Sequence, residues 1–326
     1  MTALSLQNVY YTYNPGTPFT TEALQNVSIS FEKGKITGII GHTGSGKSTL
    51  LEMMAGLLAP TQGRVLLDGQ DLYLTPKEAT HQKMTELGCA QMGTFLRSVF
   101  FHRQWKKILK EQTAQIRANK LRIGLVMQYP EYQLFDDTVL SDMCYGPKNQ
   151  GKSQAEAEEC AREAADIVGL SHELFTKSPF DLSGGEKRRV AIAGVLAMKP
   201  EILLLDEPAA GLDPIGRQKL FEGISNYNKQ TGATVILISH SMEDLAMYCD
   251  AVVVMHEGKL NRTGTVAEVF KNPQELTDLG LDVPQITYIA AELIKNGIAL
   301  EGDLWTVDGV ERAILAYLEK GKDDHV

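Results

Sequence analysis

The stretch Gly41-His-Thr-Gly-Ser-Gly-Lys-Ser48 decides how this sequence folds. Its spacing, G-x-x-x-x-G-K-[ST], is that of a phosphate-binding loop. An apolar stretch at 35–40 precedes it and reads as a strand, and the apolar residues at 48–58 recur at helical spacing. The glycines let backbone N–H groups turn inward around phosphates, where side chains would block the approach. The sequence therefore predicts a strand–loop–helix unit that binds a nucleoside triphosphate.

Polar side chains of this unit supply the other predicted contacts to phosphate and metal. Lys47 brings a positive charge to the β- and γ-phosphates, and the Ser48 hydroxyl can ligate Mg²⁺. The N-terminus of the helix adds its dipole. The predicted nucleotide-binding positions are Gly41, His42, Thr43, Gly44, Ser45, Gly46, Lys47, Ser48 and Thr49.

Two carboxylates follow the apolar stretch at 202–205 directly. Asp206 is placed to hold Mg²⁺ through water, as in other NTPases with this loop, and Glu207 can polarise the attacking water as general base. A strand followed by an acid is common in α/β proteins, so the pair alone is weak evidence. It becomes informative because the phosphate loop is also present. Together the two motifs predict hydrolysis of the bound triphosphate.

Strands and helices alternate along the chain. The stretches at 202–205 and 234–238 are continuously apolar, which is typical of parallel strands covered on both faces. The alternation predicts an α/β fold with a mostly parallel sheet. Other predicted strands lie at 4–11, 27–31, 65–67, 123–127, 252–255 and 259–261, and other predicted helices at 79–92, 95–120, 153–168, 184–198, 285–296 and 308–320.

Composition argues against several classes of protein. The chain has 326 residues, of which 43% are hydrophobic and 22% charged, as in soluble globular proteins. Its formal net charge of −9 argues against nucleic acid as the main ligand. It has no run of about 18 apolar residues and no secretory signal pattern, so we expect that it does not cross a membrane by itself. We expect reduced thiols, because no CxxC or zinc spacing occurs among Cys89, Cys144, Cys160 and Cys249.

A serine and two glycines open the predicted helix at 184–198. In Leu182-Ser-Gly-Gly-Glu186, exposed N–H groups and the Ser183 hydroxyl form a second candidate anion site. An ordinary serine N-cap followed by a flexible turn would use the same residues. The anion site is favoured because the motif shortly precedes the acidic strand and the chain already has a complete phosphate loop.

In type and order, these motifs resemble those of the ABC ATPases. In that family, the segment that corresponds to Ser183, Gly184 and Gly185 binds the γ-phosphate held by a partner subunit. Two chains thus enclose two nucleotides head to tail. The resemblance implies that ATP is the nucleotide and that each complete site needs two chains.

Other positions match the remaining motifs of the family. Gln128 looks like the Q-loop glutamine, which contacts Mg²⁺ and the attacking water, and Asp213 ends a stretch similar to the D-loop. His240 resembles the switch histidine, which hydrogen-bonds the γ-phosphate and the base Glu207. A lone histidine at a strand end is usually an ordinary surface or core residue, and only the register of the motifs favours this role. The resemblance therefore implies catalytic roles for Glu207, His240 and Gln128.

An aromatic residue is expected to stack on adenine. Tyr13 matches this position of the family. Tyr10 and Tyr11 lie close to it, and a strand tyrosine without a ligand is the alternative. We predict that Tyr13 binds the base.

Longer stretches resemble one branch of the family. They are Tyr13-Asn-Pro-Gly-Thr-Pro-Phe19, Gln128-Tyr-Pro-Glu-Tyr-Gln-Leu-Phe135, Cys144-Tyr-Gly-Pro147, Lys187-Arg-Arg-Val-Ala-Ile-Ala-Gly-Val-Leu-Ala-Met198 and Asp206-Glu-Pro-Ala-Ala-Gly-Leu-Asp-Pro214. Together they are similar to the ATP-binding subunits of energy-coupling factor (ECF) transporters, nearest the second of their two paired ATPases. The similarity covers about 1–75 and 121–275, and more loosely the C-terminal helices.

This resemblance implies the domain organisation. An ABC ATPase domain would span 1–270, with a helical insert at about 76–120 and a helical signature subdomain at about 128–198. An N-terminal antiparallel β-subdomain would accompany the mostly parallel core sheet. A small helical extension at 271–326 would help to hold the ATPase dimer together.

The resemblance also implies partners and a place in the cell. The partners would be a second ABC ATPase subunit, in a heterodimer or a homodimer, a transmembrane coupling subunit and a substrate-binding membrane subunit. The chain would lie at the cytoplasmic face of the cell membrane as a peripheral subunit that powers uptake of a vitamin or metal ion. Tyr132, Gln133, Leu134 and Phe135 would receive the coupling helices, although a partly buried loop is the alternative. An ATPase subunit of another ABC transporter and an ABC ATPase outside transport are the rival functions.

The sequence departs from the expected pattern in three places. Ala209 replaces a more usual Thr or Ser, and Glu186 replaces a common Gln. The insert at 76–120 is also longer than expected. Its second half is basic and aromatic, which suits an anionic membrane surface or another subunit, while a solvated helix face is the simpler alternative.

Overall fold

The computed structural model of the chain describes residues 1–86 and 99–323. The strands are β1 (Thr2–Tyr13), β2 (Thr21–Glu32), β3 (Ile36–Ile40), β4 (Gln62–Leu67), β5 (Gln70–Asp71), β6 (Ile123–Val126), β7 (Ile202–Asp206), β8 (Thr234–Ile238), β9 (Ala251–His256) and β10 (Lys259–Thr265). The α-helices are α1 (Lys47–Met54), α2 (Pro76–Glu86), α3 (Val99–Leu121), α4 (Val139–Asn149), α5 (Gln154–Ile167), α6 (Gly184–Leu196), α7 (Pro214–Thr231), α8 (Met242–Tyr248), α9 (Val266–Phe270), α10 (Pro273–Thr277), α11 (Gln285–Lys295) and α12 (Val307–Asp323).

The larger sheet of the described chain has the strand order β10-β9-β3-β8-β7-β6. Its neighbouring strands are parallel except β10 and β9, which pair antiparallel and correspond to the predicted strands at 252–255 and 259–261. β3, β7 and β8 are buried along their whole length, as their continuous apolar sequences predict. Ile238 pairs with Ile39 on one side and with Asp206 on the other. The carboxyl ends of these three strands therefore lie side by side, and the loops that follow them meet there.

An antiparallel sheet, β2-β1-β4-β5, forms the N-terminal β-subdomain. A single buried cluster joins it to the larger sheet through α1, because it contains Leu4 and Leu6 of β1, Leu50 and Met54 of α1, and Leu204 of β7. The phosphate loop precedes α1 and is thus carried by a helix that both sheets hold in place.

A helical layer covers the side of the larger sheet near β6. The contacting helices are α4, α5 and α6, and their buried side chains include Met143, Ala161, Val190 and Ile192. The predicted helices at 153–168 and 184–198 are present as α5 and α6, and each begins with a Ser–Glu capping box. This layer holds the Ser183 motif on the domain that carries the phosphate loop.

The helix α2 and most of α3 lie in the segment at 76–120, and these two helices contact each other. The helix α3 is joined to the β-subdomain by its buried Asn119, whose side chain donates to Oε1 of Gln70 at 2.7 Å. Of the predicted basic and aromatic face, Lys106, Lys107 and Lys110 are exposed. The predicted residues Phe95, Arg97, Phe100, Phe101, Arg103 and Trp105 lie outside the described side chains.

The C-terminal helices have a small core of their own. Ala290 of α11 and Val310 and Ala313 of α12 pack with Leu300 between them. The predicted helices at 285–296 and 308–320 correspond to α11 and α12. Both helices also expose apolar side chains, among them Ile289, Ile294, Leu315 and Leu318. Within residues 1–86 and 99–323, no helix combines the length and the apolar character that a membrane crossing needs.

Candidate nucleotide-binding site

The phosphate loop leaves β3 and enters α1 through a turn that requires glycine. Gly46 has a φ of 95°, and a Cβ at this position would lie 2.5 Å from the carbonyl oxygen of Ala23. A side chain is thus excluded both by conformation and by space. No side chain of the described residues caps α1, so its first N–H groups face the loop. Such free N–H groups at a helix N-terminus bind anions.

Lys47 is folded back onto the loop. Its ammonium group donates to the carbonyl of Gly41 at 2.6 Å and to that of His42 at 2.9 Å. Burial lowers the pKa of Lys47, while the charges of Asp206 and Glu207 act in the opposite direction. The ammonium group therefore lies inside the loop as a cation whose acceptors are backbone carbonyls rather than carboxylates.

Ser48 and Asp206 form the next contact of the site. The Ser48 hydroxyl donates to Oδ2 of Asp206 at 3.0 Å, which joins the start of α1 to the end of β7. Burial raises the pKa of Asp206, although the Ser48 hydroxyl and the charge of Lys47 lower it. A hydroxyl and a carboxylate thus stand together beside the phosphate loop.

Glu207 follows in a strained backbone conformation. Its φ is 50°, in the left-handed region that costs a residue with a side chain about 1–3 kcal/mol. Burial, reinforced by the charge of Asp206, raises the pKa of Glu207 to about 7. Its Oε1 atom is buried and has no hydrogen-bond partner within the described chain. An unpartnered buried carboxylate oxygen at this position can accept a proton or contact a cation.

His240 brings an imidazole to the same place from the end of β8. Its Nε2 atom lies 3.7 Å from Oε1 of Glu207. A hydrogen bond from the His240 backbone opposes the rise in the pKa of Glu207. The structure therefore brings together Lys47, Ser48, Asp206, Glu207 and His240, which the sequence places on three separate segments.

Tyr13 lies beside α1. Its hydroxyl is 3.1 Å from the Thr49 hydroxyl, and its ring contacts the Tyr11 ring edge to face at 4.8 Å. Tyr13 is 37% exposed, so part of the residue reaches solvent. The predicted base-binding residue is thus adjacent to the phosphate loop, and its contact with adenine stays a prediction.

The Ser183 motif and Asp213 lie outside this cluster. Ser183 caps α6 and Asp213 caps α7, with the Asp213 carboxylate accepting from the Gly216 N–H at 2.9 Å. Ser183 and Gly184 are exposed, and no hydrogen bond joins them to the loop at 41–48 in the described ranges. The N–H of Gly216 lowers the pKa of the Asp213 carboxyl. One chain therefore does not assemble these residues with its own phosphate loop.

Gln128 likewise makes no hydrogen bond to Ser48 or Asp206 in the described ranges. Its side chain is exposed. Its backbone carbonyl accepts a hydrogen bond from Arg188 at 2.8 Å. It begins the aromatic segment, which we define as residues 128–135. In this segment Tyr132 and Phe135 are exposed, as the predicted surface requires, but Leu134 is buried. Leu134 packs into the core with Val139 and Met143, so its predicted exposure is wrong.

Arg188 is a residue that the sequence analysis did not single out. It lies in the run Lys187-Arg188-Arg189, which resembles a solvated face, yet Arg188 is only 3% exposed. Ile192 and Leu196 follow Arg188 by four and eight residues, so the three side chains lie on one face of the helix. This spacing predicts that Arg188 belongs to the buried face of α6. This spacing is the signal that would have found it.

The chain is similar to known ABC transporter proteins. The family model described as ABC transporter matches residues 24–210. The "Energy-coupling factor transporter ATP-binding protein EcfA2" of Caldanaerobacter subterraneus subsp. tengcongensis is 43% identical over 320 residues, 98% of this chain and 99% of the relative. The chain belongs to the ABC transporter family, among the ECF ATP-binding subunits. As an ABC ATPase, it has ATP as its nucleotide.

Solved structures share the fold of this ECF ATP-binding subunit. CbiO1 from Clostridium perfringens, described as part of the ABC transporter complex cbiONQ, is 30% identical with a TM-score of 0.63, covering 89% of this chain and 99% of that one. The ATP-binding cassette MJ0796, a dimer bound to ADP and Pi in a post-hydrolysis state, is 25% identical with a TM-score of 0.61, covering 81% and 98%. The predicted α/β class with a mostly parallel core sheet is confirmed.

The chain as a whole is about as long as the ECF relative. The alignment spans 320 residues and nearly the whole of both chains, so the relative is as long as this ECF ATP-binding subunit. The segment at 76–120 therefore does not make this chain longer as a whole than that relative.

Proposed function

We propose that this subunit hydrolyses ATP at the loop 41–48 and thereby powers uptake of a vitamin or metal ion through separate membrane subunits. The observation that carries the proposal is the cluster of Ser48, Asp206, Glu207 and His240 beside the phosphate loop. A hydroxyl, two carboxylates and an imidazole around a phosphate loop suit transfer of a phosphoryl group to water.

Phosphate binding falls to the loop and Lys47. The Lys47 ammonium now donates to two backbone carbonyls, and a phosphate anion is a stronger acceptor that would take their place. Residues Gly41–Thr49 would surround the phosphates with N–H groups and hydroxyls. Tyr13 would stack its ring on adenine while its hydroxyl stays beside Thr49.

Ser48 and Asp206 would hold Mg²⁺, and Gln128 would join them. Hydroxyl and carboxylate oxygens are ligands that this hard cation prefers. In the described ranges, no group of three or more His, Cys, Asp or Glu residues could hold a metal. Phosphates and water would supply the remaining ligands, as is usual for Mg²⁺. When bound, the ion neutralises charge on the phosphate oxygens.

Glu207 would act as general base. With a pKa of about 7, its carboxylate is partly ionised at neutral pH and can accept a proton from water at the unpartnered Oε1. The left-handed backbone at this position fixes where the carboxylate points. His240 would hydrogen-bond the γ-phosphate and orient Glu207.

A second ABC ATPase subunit would complete each site. Ser183, Gly184 and Gly185 would bind the γ-phosphate held by the partner, and Asp213 would lie at the same interface. Two observations support this: the motif is exposed and separate from its own loop, and the similar cassette MJ0796 is a dimer. The pair would be a heterodimer or a homodimer, held together also by the extension 271–326, which exposes apolar side chains on α11 and α12.

The membrane partners would be a transmembrane coupling subunit and a substrate-binding membrane subunit. The aromatic segment is the proposed docking surface, since Tyr132 is 83% exposed and Phe135 58%. The Phe135 ring is held in position, because the backbone N–H groups of Phe135 and Asp136 both donate to Asp142 and the ring contacts Tyr145. The subunit would then lie at the cytoplasmic face of the membrane as a peripheral protein.

Purification in mild detergent tests the proposal. We expect the chain to co-purify with a polytopic membrane protein and a second ATPase, and the complex to hydrolyse ATP in the presence of Mg²⁺. Replacing Phe135 and Tyr132 by Ser should release the membrane protein. Phe19→Ser is the control, because Phe19 is also exposed but is distant in sequence from the aromatic segment. Recovery of a soluble homodimer that nucleic acid stimulates would contradict the transport function.

A further inference from the structure

Arg188 is a buried cation that joins three segments. Its guanidinium donates to both carboxylate oxygens of Glu131, at 3.2 and 3.3 Å, and to the carbonyl of Gln128 at 2.8 Å. It also donates to the carbonyl of Ala210. A buried charge is costly to desolvate, and its removal would leave these acceptors without a donor. The helix α6 is therefore bonded through one side chain to the aromatic segment and to the segment after β7.

One side of this arrangement reaches the protein surface. Glu131 lies in the short 3-10 turn Pro130–Gln133, between the exposed rings of Tyr129 and Tyr132. Its side chain is 20% exposed, whereas that of Arg188 is 4% exposed. A partner that displaces the two rings would move the carboxylate that Arg188 holds.

The other side reaches the proposed base. Arg188 contacts the carbonyl of Ala210, and the N–H of Ala210 donates to the carbonyl of Glu207 at 3.2 Å. Glu207 has a left-handed backbone, a conformation that persists only where its surroundings maintain it. Arg188 is thus bonded to the residue that helps to maintain that conformation.

We propose that Arg188 is a positioning residue that couples the aromatic segment to Glu207, so that a protein bound at Tyr129 and Tyr132 changes the rate of ATP hydrolysis. This inference rests on the proposed function. A guanidinium is needed because its planar fork bonds several acceptors at fixed angles, whereas a lysine ammonium is a single point charge. The coupling therefore depends on the hydrogen bonds of Arg188 to both Glu131 and Ala210, and not on its charge alone.

Arg188→Lys and Glu131→Gln test this role in the full chain. Since both variants leave the phosphate loop unchanged, we expect the KM for ATP to stay within about threefold and kcat to fall by about tenfold or more. Hydrogen exchange gives a second measurement, in a Glu207→Gln background that retains ATP. In the parent, ATP and Mg²⁺ should slow exchange in peptides that cover 128–135, and this slowing should be lost in both variants.

Arg122→Lys is the matched control. Arg122 precedes β6, at the opposite end of that strand from Gln128, and it also bonds carboxylates, those of Glu201 and Asp68. If Arg188→Lys does not fold, Glu131→Gln alone decides. Variants whose kcat and exchange match those of Arg122→Lys would overturn the inference while leaving the proposed function intact. A parent chain that hydrolyses no ATP, alone or with its partners, would instead remove the proposed function itself.

Discussion

The Glu207 carboxylate and the His240 imidazole face each other across 3.7 Å, between Oε1 and Nε2. The glutamate side chain is 14% exposed and the histidine side chain 61%, so solvent reaches the pair from the histidine side. A water molecule that approaches from there would meet the carboxylate oxygen that has no other partner in the described chain. This geometry leads to two predictions about Glu207.

The rate of ATP hydrolysis should rise with pH up to about 7. Burial, followed by the charge of Asp206, raises the pKa of Glu207 to about 7, while the His240 backbone, Lys47 and Arg217 oppose that rise. A general base acts only when deprotonated, so kcat/KM should fall about tenfold per pH unit below this pKa and level off above it. Initial rates measured from about pH 5.5 to about pH 8.5 check this. A flat profile across neutral pH would remove Glu207 from the role of base.

Glu207→Gln should slow turnover by about 100-fold or more and retain ATP binding. It should also stabilise the fold at high pH. Because the pKa of Glu207 is raised from 4.5 to about 7 in the folded chain, its stabilising contribution is present below pH 4.5 and is lost as the pH rises through 7. Glutamine stays neutral, so the variant should melt at a higher temperature than the parent at about pH 8 and at a similar temperature at about pH 5.

Thermal melts and ATPase assays on Glu207→Gln need one control. Glu222→Gln makes the same chemical change on an exposed position of α7 and should alter neither the melting temperature nor turnover. A Glu207→Gln variant that hydrolyses ATP at a near-normal rate would contradict the proposed mechanism.

The residues that cluster in the site could be predicted because they follow buried parallel strands. Continuous apolar sequences place β3, β7 and β8 in one sheet, and parallel strands bring their carboxyl ends together. Lys47, Asp206 and His240 therefore converge for a reason that is visible in the sequence. The motif residues and the sheet topology predict the same site, because the motifs lie at the carboxyl ends of the parallel strands.

Contacts between distant segments could not be predicted in this way. Arg188 lies 57 residues from Glu131 and 22 residues from Ala210, and no local pattern specifies either partner. The helix α4 was also missed, because it contains Gly146 and Pro147, although Thr138 caps it and Asp142 lies in its first turn. The helix α7 was missed as well, although Asp213 at its N-cap and Pro214 in its first turn are helix-start signals.

Tyr13→Ala should raise the KM for ATP by about tenfold or more, because stacking of a base on an aromatic ring contributes about 1–3 kcal/mol. Tyr13→Phe keeps the ring and loses the hydroxyl contact to Thr49, so its KM should change by less than about fivefold. Tyr10→Ala is the control, since Tyr10 was the neighbouring alternative. If Tyr10→Ala raises the KM and Tyr13→Ala does not, the base-binding residue was assigned wrongly.

Glu186→Gln should strengthen the ATP-driven association of two chains. The Glu186 carboxylate accepts from the N–H and the hydroxyl of Ser183 at 2.9 and 2.6 Å, and these bonds, the hydroxyl first, lower its pKa. A negative charge therefore stands beside the residues proposed to bind a γ-phosphate. Glutamine keeps the capping box and removes that charge. The ATP concentration for half-maximal association should fall by about fivefold, and less at high salt.

Sedimentation velocity in a Glu207→Gln background, where ATP is not consumed, measures this association. Glu156→Gln is the matched control, because Ser153 and Glu156 form the same capping box at the start of α5, with bonds of 2.8 and 2.7 Å. Both substitutions should change the melting temperature alike, since the caps are equivalent, but only Glu186→Gln should change association. An equal response of the two variants would mean that the charge of Glu186 does not face a bound anion. Ser183 would then be an ordinary N-cap, and the composite site would need another γ-phosphate ligand.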